Sequence, residues 1–220
     1  MFRKSVQKNP SERGIFYKFF SKCFNYPDEQ LVELIGHGAL LEIFELTRVN
    51  NRSRREFQEW IARENNQADM LEALRVEYTR LFINHFPHLP APLYQSFYLE
   101  QELYGTVTGE IQDIYHKNGF TLSRQLREPP DHLAIALEFM YRLIEGERDE
   151  AVQELFLRKH LLSWIELLSE RVHDSAKLPF YPLITDGLLV FLKQDSRALN
   201  NSGNGLLYGN PFRRMKPGNS

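Results

Sequence analysis

Apolar residues recur at intervals of three and four along most of the chain, the spacing of helices that each bury one face. Ser11 is placed to cap a first helix whose stripe is Ile15, Phe16, Phe19, Phe20, Cys23 and Phe24; Pro27 closes it because proline disfavours helical backbone in the residue before it. Asp28 heads a short second helix carrying Leu31, Leu34 and Ile35, broken at Gly36 and Gly38, and Leu40, Leu41, Phe44 and Leu46 continue on another. After an Arg-rich stretch, Ser53 starts a helix with Phe57, Trp60 and Ile61. A longer one from about Ala68 aligns Leu71, Leu74, Tyr78, Leu81 and Phe82.

The period then stops. Phe86 to Tyr94 contains Pro87, Pro90 and Pro92 and predicts a stiff, extended connector. Helical spacing resumes with Leu103, Val107, Ile111, Ile114 and Tyr115 and ends at Asn118-Gly119, both tolerant of a left-handed backbone. A second loop, 120–128, leads to Glu128-Pro129-Pro130-Asp131, which reads as the first turn of the next helix. That helix is apolar nearly all round, with Leu133, Ile135, Ala136, Leu137, Phe139, Met140, Leu143 and Ile144, as expected of a buried central spine. Two further helices are predicted, Val152 to about Val172 and Phe180 to about Leu192, joined by Lys177-Leu178-Pro179. The reading is an all-α fold: an N-terminal extension over 1–10, one helical domain over 11–195, and a mobile, basic tail over 196–220.

Composition narrows the chemistry. The 220 residues are 42% hydrophobic and 25% charged, enough to bury a core without staples. A single cysteine, Cys23, excludes an internal disulfide and multi-cysteine metal sites and points to a reducing compartment. The basic start lacks the apolar stretch of an export signal, and the longest apolar runs, such as Leu188 to Leu192, are far too short to span a bilayer, so the expectation is cytoplasmic. With 27 Lys+Arg against 29 Asp+Glu, the net charge of −2 disfavours nucleic acid as a partner, although the basic ends keep a DNA-binding regulator as a rival class.

The sequence holds few arrangements suited to catalysis. There is no phosphate-binding loop, no nucleophile elbow and no Cys, His and Asn arrangement. Glu170 with His173, and Asp113 with His116, have the i, i+3 spacing used by di-iron bundles, and they define the leading rival: a helical metal or cofactor enzyme holding a metal through these four residues. His85 and His88 read as exposed loop histidines. Residues 99–113 carry four carboxylates and neither lysine nor arginine, a solvated helix face or a surface for a basic partner. Glu128 and Asp131 bracket a predicted helix start, and His132 beside them ordinarily titrates near neutrality.

Three stretches together carry a resemblance: Glu77-Tyr78-Thr79-Arg80-Leu81-Phe82, Pro92-Leu93-Tyr94-Gln95-Ser96-Phe97-Tyr98, and Glu128-Pro129-Pro130-Asp131-His132. The sequence resembles the TorD/DmsD/NarJ family of cytoplasmic chaperones for molybdenum-cofactor oxidoreductases, and the last stretch is similar to the family's EPxDH motif. The resemblance implies an all-helical domain of about ten helices, no catalysis and no cofactor. It implies as partner the apo form of a molybdenum-enzyme catalytic subunit and its twin-arginine leader peptide, held back from export until maturation, with no stable membrane insertion. Some members are associated with guanine nucleotide and some form domain-swapped homodimers, for which the loop 120–128 would be the hinge. A leader has a basic end and an apolar core, so its receptor needs carboxylates beside an apolar groove. On that reading Glu128, Asp131 and His132 receive the arginines, and Tyr94, Ser96, Phe97, Tyr98 and Tyr104 form the peptide-binding groove.

Overall fold

In a computed structural model, the structure describes residues 11–36, 51–64, 66–84 and 89–202. The expected N-terminal extension, the stripe from Leu40 to Leu46, His85, His88 and residues 203–220 lie outside the described residues. The architecture is all-α. The helices are α1 (Glu12–Cys23), α2 (Glu29–Gly36), α3 (Asn51–Arg63), α4 (Gln67–Tyr78), α5 (Gln95–Glu100), α6 (Thr106–Lys117), α7 (Leu133–Glu145), α8 (Glu150–Phe156), α9 (Ile165–Ser175) and α10 (Phe180–Ser202). One antiparallel bridge pairs Tyr94 with His132, and among the described residues no helix is long and apolar enough to cross a membrane.

The centre is an antiparallel pair, α1 against α7. At one end the Ser11 amide and hydroxyl donate to Glu145 Oε1 at 2.9 and 2.8 Å; at the other the Ser21 hydroxyl donates to the Ala134 carbonyl at 2.8 Å. Gly14 allows this approach, since a Cβ there would lie 2.3 Å from Glu145 Oε1. Ser11 caps α1 as its sequence predicts, its hydroxyl accepting from the Gly14 amide. Helix α7 buries Leu133 to Leu137, Phe139, Met140 and Leu143, which confirms it as the spine. Helix α10 covers the other side of α1 through Phe191, whose ring meets Phe16, Tyr17 and Phe20 at centroid distances of 5.1, 4.9 and 5.7 Å.

Four boundaries differ from those the sequence predicts. The stretch read as one helix from Val152 to Val172 is α8 followed by a π-helical turn, Leu157–Leu162, then a break at Trp164 before α9. The Ser163 hydroxyl and Trp164 Nε1 donate back to the carbonyls of Lys159 and His160, supplying partners for backbone groups that the widened turn releases. Helix α4 ends the same way, running into a π-helical turn at Thr79–Ile83. Helix α10 continues to Ser202, past the tail boundary drawn at 195, because Asp195 is buried in an ion pair with Arg13 and accepts the Tyr17 hydroxyl at 2.7 Å. Finally, α7 begins at Leu133, not at the prolines: Pro130 and Asp131 form a turn, and His132 is extended and pairs with Tyr94.

The motif Glu77 to Phe82 is structural. Glu77 is buried, takes two bonds from Arg80 at 2.9 Å, and accepts the Lys177 and Leu178 amides, while Arg80 also donates to the Ser175 carbonyl. One ion pair thus anchors the α9–α10 connector to the end of α4.

Candidate functional site

The second and third stretches singled out by sequence meet in space. The Leu133 amide donates to the Leu93 carbonyl at 2.8 Å and the Gln95 amide to the Asp131 carbonyl at 3.3 Å, forming the bridge between Tyr94 and His132. Asp131 Oδ2 accepts the Ser96 amide at 2.9 Å, so a buried carboxylate faces the positive end of α5. His132 caps α7, Nδ1 accepting the Ala134 amide at 3.2 Å. Each motif therefore closes the helix start of the other or its own, and the connector 89–94 is held against the body of the fold. The Ala91 amide donates to the Leu81 carbonyl, and Arg171 donates to the Pro90 carbonyl at 2.7 Å.

This framework divides the predicted site residues into two layers. Ser96, Asp131 and His132 are buried. Burial pushes the His132 imidazole down to about 4, outweighing the opposing pull of Glu128 and Asp131, so it is a neutral cap at pH 7 and not the near-neutral titrating group its sequence suggests. Tyr94, Phe97 and Tyr98 are half-buried, while Glu128 and Tyr104 are exposed. The Tyr94 hydroxyl donates to Glu128 Oε2 at 2.7 Å, and its ring meets His132 edge-on at 5.3 Å. Burial, and then Glu128, raise the Tyr94 phenol well above its ordinary value, keeping it a donor. Among the described residues no lysine or arginine forms an ion pair with Glu128.

Aromatic surface continues on both sides. Tyr98 stacks on Trp164 at 5.1 Å, and Phe97 lies edge-on to Tyr98 and under the Arg171 guanidinium at 5.2 Å. On the other side Tyr78 and exposed Tyr26 pack edge-on at 5.6 Å, and the Glu128 charge bears on Tyr78 as well as on Tyr94. Beyond α5, Gln101 and Tyr104 adopt left-handed backbone (φ 60° and 61°), and this tight loop projects Leu103 and Tyr104, the latter 69% exposed.

The acidic stretch is used unevenly. Glu100 caps α6 by accepting the Val107 amide, and Gly105 permits it, because a Cβ there would meet Glu100 Oε2 at 1.9 Å. Glu110 pairs with Lys159 at 2.7 Å, brought in from the π-helical turn. Glu102 and Asp113 face solvent. Of the rival metal residues, His173 bonds Asp186 at 2.8 Å, and among the described residues no group of three or more His, Cys, Asp or Glu is placed to hold a metal ion.

Trp164, Arg171, Gln95, His160 and Tyr26 were not among the residues singled out for the site. Gln95 is buried and donates to the Lys159 carbonyl at 2.9 Å, while its carbonyl oxygen meets His160 Nδ1 at 3.2 Å. These contacts bind α5 to the second π-helical turn. Trp164 stands beside Ile165 and Leu168 in an apolar helical stripe, which is a core signal, and nothing in the sequence pairs it with Tyr98.

The arrangement offers an exposed carboxylate beside aromatic rings on a rigid floor, and it falls within residues matched by a family model. The family of the nitrate reductase delta subunit matches residues 48–170. A chaperone protein TorD from Psychrobacter sp. (strain PRwf-1) is 34% identical over 139 residues, covering 58% of this chain and 62% of that protein. Another TorD, from Actinobacillus pleuropneumoniae serotype 3 (strain JL03), is 36% identical over 110 residues, covering 49% and 54%. The chain thus matches less than two thirds of the length of these curated relatives. A solved structure of a redox enzyme maturation protein from Archaeoglobus fulgidus aligns with a TM-score of 0.49 at 26% identity, covering 90% of this chain and 99% of that one. The family match takes in more than half the chain and all three stretches that form the framework, and on that ground the chain belongs to the nitrate reductase delta subunit family.

Proposed function

We propose that this chain is a cytoplasmic chaperone, without catalysis or a cofactor of its own, that captures the twin-arginine leader of an apo molybdenum-cofactor oxidoreductase subunit and holds it until maturation. The observation that carries the reading is Glu128: an exposed carboxylate, oriented by Tyr94, with no cationic partner among the described residues and with aromatic surface on either side. An arginine of the leader pairs with Glu128, and the apolar part of the leader lies over Tyr94, Phe97, Tyr98 and Tyr104. Ser96, Asp131 and His132 act beneath them as positioning residues.

The magnitudes fit reversible capture. Burying ~400 Å² of apolar surface at ~25 cal/mol/Å² gives ~10 kcal/mol gross. Ordering the peptide and associating two molecules take back at least about 4 kcal/mol, and charge-assisted bonds to Glu128 return part of that, so the expectation is an affinity of up to about −8 kcal/mol, no tighter than micromolar. That is tight enough to mask the arginines and weak enough to release them. A swapped homodimer would require the loop 120–128 to open, freeing Phe120, Leu122 and Leu126 from the core they pack against.

The test is a calorimetric titration of purified chain with a synthetic twin-arginine leader from a molybdenum-enzyme subunit encoded nearby. Micromolar, saturable binding that weakens in Glu128→Ala supports the reading; absence of binding to every such leader removes it.

A further inference from the structure

Residues 203–220 have the same chemistry as the proposed ligand. They contain Leu206-Leu207-Tyr208 and then Phe212-Arg213-Arg214-Met215-Lys216, with no aspartate or glutamate. We infer that this segment docks on the Glu128 face of its own chain and competes with an incoming leader, which rests on the leader-binding reading above.

Charge complementarity is the first argument. Glu128 and Glu102 are exposed and form no ion pair among the described residues, whereas Glu110, in the same acidic region, is already taken by Lys159. Glu128 is thus open to a cation, and Glu102, two residues before Tyr104, to a second; the segment supplies adjacent arginines. Exposed Leu103 and Tyr104 beside them offer apolar contact for Phe212 or the Leu206-Leu207 pair.

Reach is the second. Asp195 of α10 meets Arg13 at the start of α1, and the start of α1 meets Glu145 at the end of α7, so α10 leaves the fold at the end of α7 remote from Glu128. Helix α7 is about 20 Å long, and the last turns of α10 add roughly 10 Å. The roughly eleven residues from Ser202 to Arg213 span up to about 36 Å when extended, enough to cover that path.

The fit is weak by construction. In a leader the basic block precedes the apolar one, and here the apolar triplet precedes the arginines. Tethering offsets this in part: covalent attachment makes the contact intramolecular, although a connector that must run nearly extended keeps its effective concentration below the millimolar value of a slack linker. A contact whose dissociation constant lies below that concentration is occupied most of the time, and it lowers the apparent affinity for an external leader several-fold.

The experiment compares leader binding by the full chain and by the full chain carrying Arg213→Ala with Arg214→Ala, at several protein concentrations. A synthetic peptide of residues 203–220 is titrated separately into that double variant, with and without Glu128→Ala. The expected result is three- to tenfold tighter leader binding by the double variant, independent of protein concentration, together with saturable peptide binding that Glu128→Ala abolishes. Equal leader affinity for both proteins overturns the inference and leaves the chaperone reading intact, as does failure of the peptide to bind or binding indifferent to Glu128. A difference that grows with protein concentration overturns it in favour of a second copy's segment. If the peptide binds in the Glu128-dependent way but no leader binds either protein, the docking stands and the chaperone reading falls.

Discussion

Asp131 accepts the backbone amide of Ser96 at 2.9 Å, across 35 positions of sequence, and this one bond unites the two stretches that define the candidate site. It makes Asp131 a buried cap on α5 and leaves Glu128, three residues earlier, as the carboxylate that faces solvent. Their substitutions therefore separate. Asp131→Ala leaves a buried backbone donor unpaired and should cost about 1 to 3 kcal/mol of stability, measured by urea denaturation. Glu128→Ala should change stability by less than about 0.5 kcal/mol and weaken leader binding roughly three- to tenfold in calorimetry. The opposite pattern would reverse the two assignments.

Tyrosines of the site should separate along the same line. Tyr104, 69% exposed, contributes almost nothing to packing, so Tyr104→Ala should retain the melting temperature while weakening leader binding. Tyr98 stacks on Trp164, and Tyr98→Ala should destabilise by about 2 kcal/mol or more through the cavity left beside that ring. Equal stability loss for both would place Tyr104 in the core.

Acid should weaken the fold through two histidines. Burial lowers both His132 and His160 from 6.5 to about 4. Between those values the unfolded chain binds protons that the folded chain refuses, so stability is full above about pH 6.5 and falls as pH drops toward 4. The combined loss is on the order of a few kcal/mol. Urea midpoints measured at pH 7.5 and pH 4.5 should show it, and His132→Asn, which retains a capping acceptor without a titrating group, should flatten the slope. A slope unchanged in that variant would assign the acid sensitivity elsewhere.

Glu77→Ala should be among the most damaging single substitutions. It strands the Arg80 guanidinium, which is largely buried, and frees the Lys177 and Leu178 amides, at a cost of about 3 to 5 kcal/mol. Limited proteolysis should then cut between α9 and α10, where the native chain resists.

Gly105→Ala offers a milder test of local geometry. The new methyl group displaces the Glu100 carboxylate from the start of α6, which should cost about 1 kcal/mol and loosen the loop that presents Tyr104. Faster amide exchange at Val107 would report the lost cap.

Much of the fold was legible because helical periodicity is a local signal. Ser11 as a cap, the apolar circumference of α7, and Asn118-Gly119 as a stop, where Gly119 takes φ 82°, all depend on neighbours within a turn or two. The boundary between the helical domain and a tail over 196–220 falls short for the converse reason: Asp195 is polar, but Arg13 and Tyr17 from the start of α1 bury it and carry the helix onward. The site shows the same division. That Tyr94 and Glu128 belong together followed from their motifs, whereas which acid points outward depended on the bridge between Tyr94 and His132. The partners Trp164 and Arg171 come from helices some 65 to 75 residues downstream, beyond any local spacing rule.

The antiparallel α1–α7 pair also governs how this chain can be made. Its two halves meet across 134 positions, from Ser11 to Glu145, so the first helix lacks its main partner until the ribosome has delivered α7. At 5 to 20 residues per second the wait is on the order of ten seconds. During it Phe16 and Phe20 also lack Phe191 of α10, whose ring they meet in the folded chain. A protein proposed to shelter nascent clients thus passes through a vulnerable interval of its own, and conditions that slow translation should reduce its soluble yield more than that of helical proteins with sequence-adjacent pairing.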